Sequence, residues 1–333
     1  MTGTPRVGVV GAGSLGFHHI RILRDLQGVR FSGFFESRPE RAAEVAKELG
    51  VSGLPSMDAL LDVSDAVVIV VPTSGHFAAA TAAMSRGRHV FIEKPITTTL
   101  EEADSLLGLA REKGVMVQIG HIERFNQAVR AALPYVNKPR FIDSERLAPF
   151  SPRGSDVAVV LDLMIHDIDL LLTLVGSGAK SISAVGVPVL TPMLDIANAR
   201  VTFTSGAVAN ITSSRISRER KRKIRIFQQS GYLSLDLAAG TGEFFRLKSD
   251  IDPLALRAVP ADMAAFVDRI KLEASPGEPL KLELESFVAA LNGECPVVVT
   301  GEEGRLALGV ALRIVKEIEL TLPSLVGHAH HHE

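Results

Sequence analysis

The sequence predicts an α/β chain in two parts. A doubly wound parallel sheet is expected over residues 1–121. An α+β domain with an open, mainly antiparallel sheet is expected over residues 122–325. Three observations carry this. Apolar runs alternate with helical segments from residue 6 to residue 121. The first strand–helix junction holds glycines at 11, 13 and 16. After residue 121 the alternation gives way to clustered strand-like segments and two late helices. A chain of 333 residues suits about two domains.

The run 7–10 is short and apolar, as a buried parallel strand is. Glycines 11, 13 and 16 follow it with G-x-G-x-x-G spacing, and a helix with apolar Ile20, Leu23 and Leu26 comes next. Gly11 permits a sharp turn, Gly13 lets a pyrophosphate approach the backbone, and Gly16 lets the helix pack on the strand. The orphan N–H groups of that helix start, at Ser14 and Leu15, face the phosphates. A second strand, 30–35, ends in Glu36, whose carboxylate can accept ribose hydroxyls, with Ser37 and Arg38 beside it. This is a Rossmann dinucleotide fingerprint in its full strand–helix–strand context. A helix then runs to Leu49, with Pro39 in its first turn and Gly50 as its stop. A short helix over 57–61 and a continuous apolar strand over 65–71 follow, the strand closing at Pro72 and a segment that contains His76. A helix over 77–86, a strand over 89–92, the triplet Glu93-Lys94-Pro95, a helix over 100–113 and a strand over 115–119 complete this half. Ligands bind such sheets beyond the carboxyl ends of the strands. Gly11, Glu36, Pro72, Lys94 and His121 all fall there.

In the second half, residues 122–136 read as one helix with Arg124, Phe125 and Asn126 near its start. A strand over 140–147 leads into a loop that holds Arg153 between prolines, a plausible phosphate or carboxylate ligand. The helix over 157–174 carries Asp162, His166 and Asp169 at i, i+4 and i+7, one face of an α-helix. One carboxylate can fix the imidazole tautomer and leave the other ring nitrogen free for a proton. Alone, His166 reads as a satisfied core histidine; beside a dinucleotide turn and Lys94, the acid/base reading is preferred. Strands over 179–189, 197–204, 208–213, 223–228 and 231–237 suggest one antiparallel sheet with helices on one face, and helices are expected over 282–291 and 302–319.

Composition narrows the function classes. The net charge of −2 gives no broad basic surface for nucleic acid. The basic run Arg215, Arg218, Arg220, Lys221, Arg222, Lys223 and Arg225 has no interleaved aromatics, as a single-strand binder requires. It reads as a solvated loop and strand edge, with a pyrophosphate contact as the second reading. No apolar run approaches the roughly 20 residues of a membrane helix, and no secretory leader is recognised. A single cysteine, Cys295, leaves no intrachain disulfide and no cysteine metal site. A cytoplasmic setting and no metal are expected. The His-rich tail, 326–333, is set apart from the fold.

The glycine turn 11–16, the triplet Glu93-Lys94-Pro95 and the helix with Asp162, His166 and Asp169, in that order over nearly the whole chain, resemble the Gfo/Idh/MocA oxidoreductase family. The segments 120–126 and 162–169 are most similar to its UDP-N-acetylglucosamine 3-dehydrogenase-like branch, although Gln127 stands where many relatives carry proline. The resemblance implies hydride transfer between a nicotinamide and a hydroxyl/keto carbon of a sugar, cyclitol or nucleotide sugar. It implies catalytic roles for Lys94, His166 and Asp162. It places Pro72, His76 and Glu93 at the cofactor, and Arg124, Asn126, Arg153 and Asp169 at the substrate. NAD is expected, because the Glu36 carboxylate repels a 2′-phosphate; NADP is the alternative, held by Arg38. A homodimer or homotetramer built on the open sheet is expected. A sensor without turnover, or a redox-neutral lyase or glycosidase, are the alternatives in function.

Overall fold

The computed structural model describes residues 3–151, 154, 157–248 and 266–321. They form two compact units, one of residues up to Ile122 with Gly277–Gly309, the other of Glu123–Pro276 with the residues from Val310 on.

The first unit contains β1 (Arg6–Val10), α1 (Ser14–Leu23), β2 (Arg30–Phe35), α2 (Pro39–Leu49), α3 (Met57–Val63), β3 (Ala66–Ile69), α4 (His76–Ser85), β4 (His89–Glu93), α5 (Leu100–Lys113) and β5 (Val117–Gly120). All strand pairings are parallel, in the order β2-β1-β3-β4-β5. Every residue of β3 is buried, as expected for a strand covered on both faces. The strand order reverses direction between β1 and β3, which opens the crevice where such sheets bind ligands. Helix limits follow local chemistry. Gly50 and Gly114 close α2 and α5 in the left-handed region, at φ 64° and 63°. Thr99 and Glu102 form a reciprocal cap at the start of α5.

The second unit contains α6 (Gln127–Ala132), β6 (Phe141–Leu147), a π-helical stretch (Val160–Met164) that continues into α7 (Ile165–Val175), β7 (Ala179–Val187), β8 (Ile196–Phe203), β9 (Val208–Ser214), β10 (Lys221–Gln228), β11 (Gly231–Asp236), β12 (Thr241–Leu247) and β13 (Val267–Leu272). Eight strands run in the order β13-β12-β11-β10-β6-β9-β8-β7, antiparallel except for β6 and β9, which are parallel. α6 lies against β11 to β13, and α7 against β6 and β9. On the opposite face Phe141, Phe227, Tyr232 and Phe245 form a ladder with ring centroids 5.7, 5.5 and 4.6 Å apart.

The chain then returns to the first unit with α8 (Pro279–Leu291). Its buried Leu280, Leu284, Phe287, Val288 and Leu291 join Val7, Val9, Ile20, Leu23, Phe34 and Phe91 in one core. The rings of Phe91 and Phe287 meet edge to face at 5.7 Å. The last helix, α9 (Gly301–Thr321), begins in the first unit and ends in the second.

Four sequence expectations are corrected. The single helix over 122–136 is broken: Asn126 is extended at φ −60°, ψ 134°, and its side chain accepts from the Ala128 N–H, so it caps a new helix instead of continuing an old one. The helix expected from 157 is wound as a π-helix over Val160–Met164, so the turn there is wider than the 3.6 residues assumed, while residues four apart, such as Asp162 and His166, still fall near one face. β12 and β13 extend the sheet beyond the expected strands. The basic run does not mark a strand edge, since β10 is central between β11 and β6. There Arg225 meets Asp143 at 2.5 Å, and Lys221 pairs with Glu145.

Candidate active site

The glycine turn is shaped by close backbone approach. Gly11 sits at φ +97°, and a Cβ there would lie 2.6 Å from the Val70 carbonyl oxygen. A Cβ on Gly16 would lie 2.1 Å from the Gly11 carbonyl oxygen. Gly13 differs: the nearest atom to its Cβ position is Arg38 Nη2 at 3.9 Å, so the space above this glycine is open. Gly13 is the N-cap of α1 and has no side chain to satisfy the amides of the first turn, which includes Ser14 and Leu15. That end of the helix is suited to an anion.

Glu36 closes the turn from β2. Its carboxylate accepts from the Ala12 N–H at 2.9 Å, from the Arg38 N–H at 3.2 Å, and from Arg38 Nε at 2.9 Å. Burial pushes this carboxyl up, but the Arg38 side chain and the two backbone donors outweigh it and hold the pKa down at about 2. Arg38 and Ser37 are exposed beside it. The open cradle above Gly13, the uncapped helix start and a fixed carboxylate on the neighbouring strand fit an adenine dinucleotide.

Lys94 lies half-buried between buried Glu93 and Pro95 at the end of β4. The Lys94 N–H donates to Glu93 Oε2 at 3.3 Å, while Glu93 Oε1 meets Nε2 of the fully buried His19 at 2.9 Å. On the other side, His76 Nδ1 lies 2.8 Å from the Pro95 carbonyl oxygen and its Nε2 lies 3.0 Å from that of Val71, next to Pro72. Burial lowers the His76 pKa, against the effect of those carbonyls. His19 was not singled out by sequence reasoning; its place three residues after Gly16 is the available signal.

In the second unit, Asp162 and His166 are half-buried, whereas Asp169 is 1% exposed. Asp169 takes a two-pronged ion pair from Arg124, with Nε and Nη2 at 2.8 and 2.6 Å. The structure therefore brings Arg124 and Asp169 together. Asn126 is buried and donates to Glu123 at 3.1 Å and to the Leu237 carbonyl at 2.9 Å. Beneath His166 its chain neighbour Asp167 binds Arg146 at 2.7 and 3.1 Å, and Arg146 also meets Glu123 at 2.8 Å. Burial disfavours the charge on Arg146, yet the two carboxylates prevail and raise its pKa. Arg222, half-exposed, reaches the same Glu123 at 3.6 Å. Sequence reasoning missed Asp167, Arg146 and Glu123, which no local spacing connects. Arg153 and the His-rich tail lie outside the described residues. Among the described residues, no group of three or more His, Cys, Asp or Glu is placed to hold a metal, and no helix is long and apolar enough to cross a membrane.

Comparison with known proteins accords with this geometry. Residues 5–121 match the model of the GFO/IDH/MocA oxidoreductase family's NAD-binding Rossmann fold, and residues 118–234 match that of the GFO/IDH/MocA C-terminal domain. The chain is 41% identical over 322 residues to UDP-N-acetylglucosamine 3-dehydrogenase of Acidithiobacillus ferrooxidans, covering 95% of this chain and 98% of that one. A solved structure of that enzyme superposes with a TM-score of 0.88 at 40% identity, covering 96% and 98% of the two chains. The scyllo-inositol 2-dehydrogenase (NAD(+)) of Bacillus subtilis is 29% identical over 231 residues, 64% of this chain and 68% of that one. With the glycine turn, the Glu36 carboxylate and both family domains in sequence, the chain belongs to the GFO/IDH/MocA family of NAD-binding oxidoreductases.

Proposed function

We propose that the protein is an NAD-dependent dehydrogenase that oxidises a ring hydroxyl of a nucleotide-linked amino sugar of the UDP-N-acetylglucosamine type. The observation that carries this is identity of 41% along almost the whole of both chains to an enzyme of that name. Relatives named as inositol dehydrogenases are less similar, at 23% to 33% identity, which favours the nucleotide sugar over a cyclitol.

When bound, the nicotinamide supplies the hydride acceptor. The residues of the chain do the rest. Backbone amides at 13–15 receive the pyrophosphate, and Glu36 receives the adenosine ribose hydroxyls. The Lys94 ammonium steadies the negative charge that develops on the substrate oxygen as its proton leaves. His166 takes that proton, with Asp162 favouring the charged ring. The Arg124–Asp169 and Arg146–Asp167 pairs hold α7 in place, so that His166 presents one orientation. Arg153 remains a candidate contact for the substrate's pyrophosphate. A homodimer or homotetramer formed through the aromatic face of the eight-stranded sheet completes the reading.

Lys94→Met tests the assignment. Turnover of UDP-N-acetylglucosamine, followed as reduced nicotinamide absorbance, should fall by at least about a thousandfold, roughly 4 kcal/mol of transition-state stabilisation. NAD affinity should stay within about threefold. Near-normal turnover in the variant overturns the role of Lys94. Wild-type protein that binds the sugar nucleotide but accumulates no reduced cofactor points to a sensor or a redox-neutral enzyme instead.

A further inference from the structure

We propose that His19 and His76 are positioning residues that clamp the backbone on either side of Lys94, and that Lys94 acts only while both clamps hold. The inference rests on the reading of Lys94 given above and adds two residues to it.

A lysine side chain has four rotatable carbons and no fixed direction of its own. Its ammonium is useful at a reacting oxygen only if the backbone that launches it is fixed within about half an ångström. The clamp before Lys94 runs from α1. Nε2 of His19, fully buried, lies 2.9 Å from Glu93 Oε1, and the other oxygen of that carboxylate accepts the Lys94 N–H at 3.3 Å. The Glu93 carboxylate lies flat on Gly120: a Cβ at 120 would fall 2.9 Å from Glu93 Cδ. Glu93 is thus held from three sides, and it holds the lysine amide in turn. Since a carboxylate only accepts, the His19 Nε2 is the donor in this contact. The His19 ring also meets Phe91 of β4 edge to face, at 5.7 Å.

The clamp after Lys94 runs from α4. His76, at the start of α4, faces the carbonyls of Pro95 at 2.8 Å and Val71 at 3.0 Å, so its ring sits between the segment after β4 and the end of β3. Burial keeps this ring neutral near pH 7, and a neutral ring has one N–H to give. In the proposed clamp that N–H goes from Nδ1 to Pro95, the nearer of the two acceptors. A helix that carries the dinucleotide turn and a helix that starts at the next strand end therefore both terminate on the residues flanking one half-buried lysine. A surface lysine after a strand needs neither.

The test compares His19→Leu, His19→Gln, His76→Leu, His76→Asn and His76→Gln with wild type and Lys94→Met. Gln at 19 keeps a donor near the Nε2 position. Asn at 76 keeps one near Nδ1 and Gln at 76 one near Nε2. Each protein is measured for kcat, for NAD affinity by calorimetry, and for backbone amide exchange by mass spectrometry. The expected result is a kcat at least tenfold lower in both Leu variants, with NAD affinity within threefold in His19→Leu. Exchange should be at least tenfold faster at Lys94, Ile96 and Thr97, and unchanged in β1 and α5. His19→Gln and His76→Asn should recover kcat to within threefold of wild type, and His76→Gln should not. Unchanged kcat in both Leu variants, beside an inactive Lys94→Met, overturns the clamp and leaves the lysine assignment standing. Faster exchange spread over the whole first unit, or recovery by His76→Gln in place of Asn, also overturns it. Should Lys94→Met remain active, the reading of the site fails, and the exchange pattern at 94–97 alone decides whether the histidines fix this segment.

Discussion

Glu36→Gln should convert a preference for NAD into a preference for NADP. The wild-type carboxylate is fixed by the Ala12 N–H at 2.9 Å and by Arg38 Nε at 2.9 Å. The amide oxygen of glutamine can still accept from Ala12, so the turn should keep its shape. Two changes follow. Ribose hydroxyls lose a charged acceptor, worth about 1.5–3 kcal/mol, or roughly 10- to 150-fold in NAD affinity. A 2′-phosphate loses a like charge about 4 Å away, worth at least ~1 kcal/mol even in water. Arg38, no longer neutralised, is left exposed at the same place. The ratio of the two dissociation constants should therefore swing by about two orders of magnitude. Calorimetric titration of both proteins with both oxidised cofactors measures it, with thermal melting as the check on folding. A swing of less than about threefold in a folded variant would refute the assignment of Glu36 to the ribose.

The same residue has a signature in acid. Its carboxyl is depressed from the ordinary 4.5 to about 2, so its stabilising contribution is complete above pH 4.5 and disappears as the pH falls toward 2. After allowance for solvent around exposed Arg38, denaturant titrations should show a gap of ~1–2 kcal/mol between wild type and Glu36→Gln above pH 4.5, closing by about pH 2. Gly13→Ala should melt like wild type, because its Cβ meets nothing closer than 3.9 Å, yet bind NAD at least tenfold more weakly; Gly16→Ala, with a contact of 2.1 Å, should lower the melting temperature as well. Arg146→Met should cost about 3–5 kcal/mol in urea unfolding, because Asp167 and Glu123 then stay buried without their common partner.

What the sequence reveals depends on how local the cause is. The limits of α2 and α5 were readable to the residue, because proline, a capping threonine and left-handed glycines announce them. The dinucleotide turn was readable for the same reason. Asn126 carries a similar signal, masked by the apolar Phe125, Ala128 and Val129 around it. The π-helical turn at Val160–Met164 has no local mark; its hydrogen-bond shift answers to packing. The edge strand β13 alternates weakly, and its pairing with β12 is fixed by partners such as Glu243 and Arg269, 26 residues apart. In the site, residue types were legible but their partners were not. Nothing in the spacing joins Arg124 to Asp169 across 45 residues, or His19 to Glu93 across 74.

The contribution of α8 to the first core bears on how this protein is made. During synthesis the strands that bind the dinucleotide emerge early, but the wall formed by Leu284, Phe287 and Val288 is still unwritten. A nascent chain that stops at Ile122 presents Val7, Ile20 and Phe91 to solvent or to a chaperone. The nucleotide module cannot be cut out at that residue and be expected to stand alone, whereas one with α8 grafted back through a short linker should. Biosynthesis must pass residue 291 before the first-made half can close.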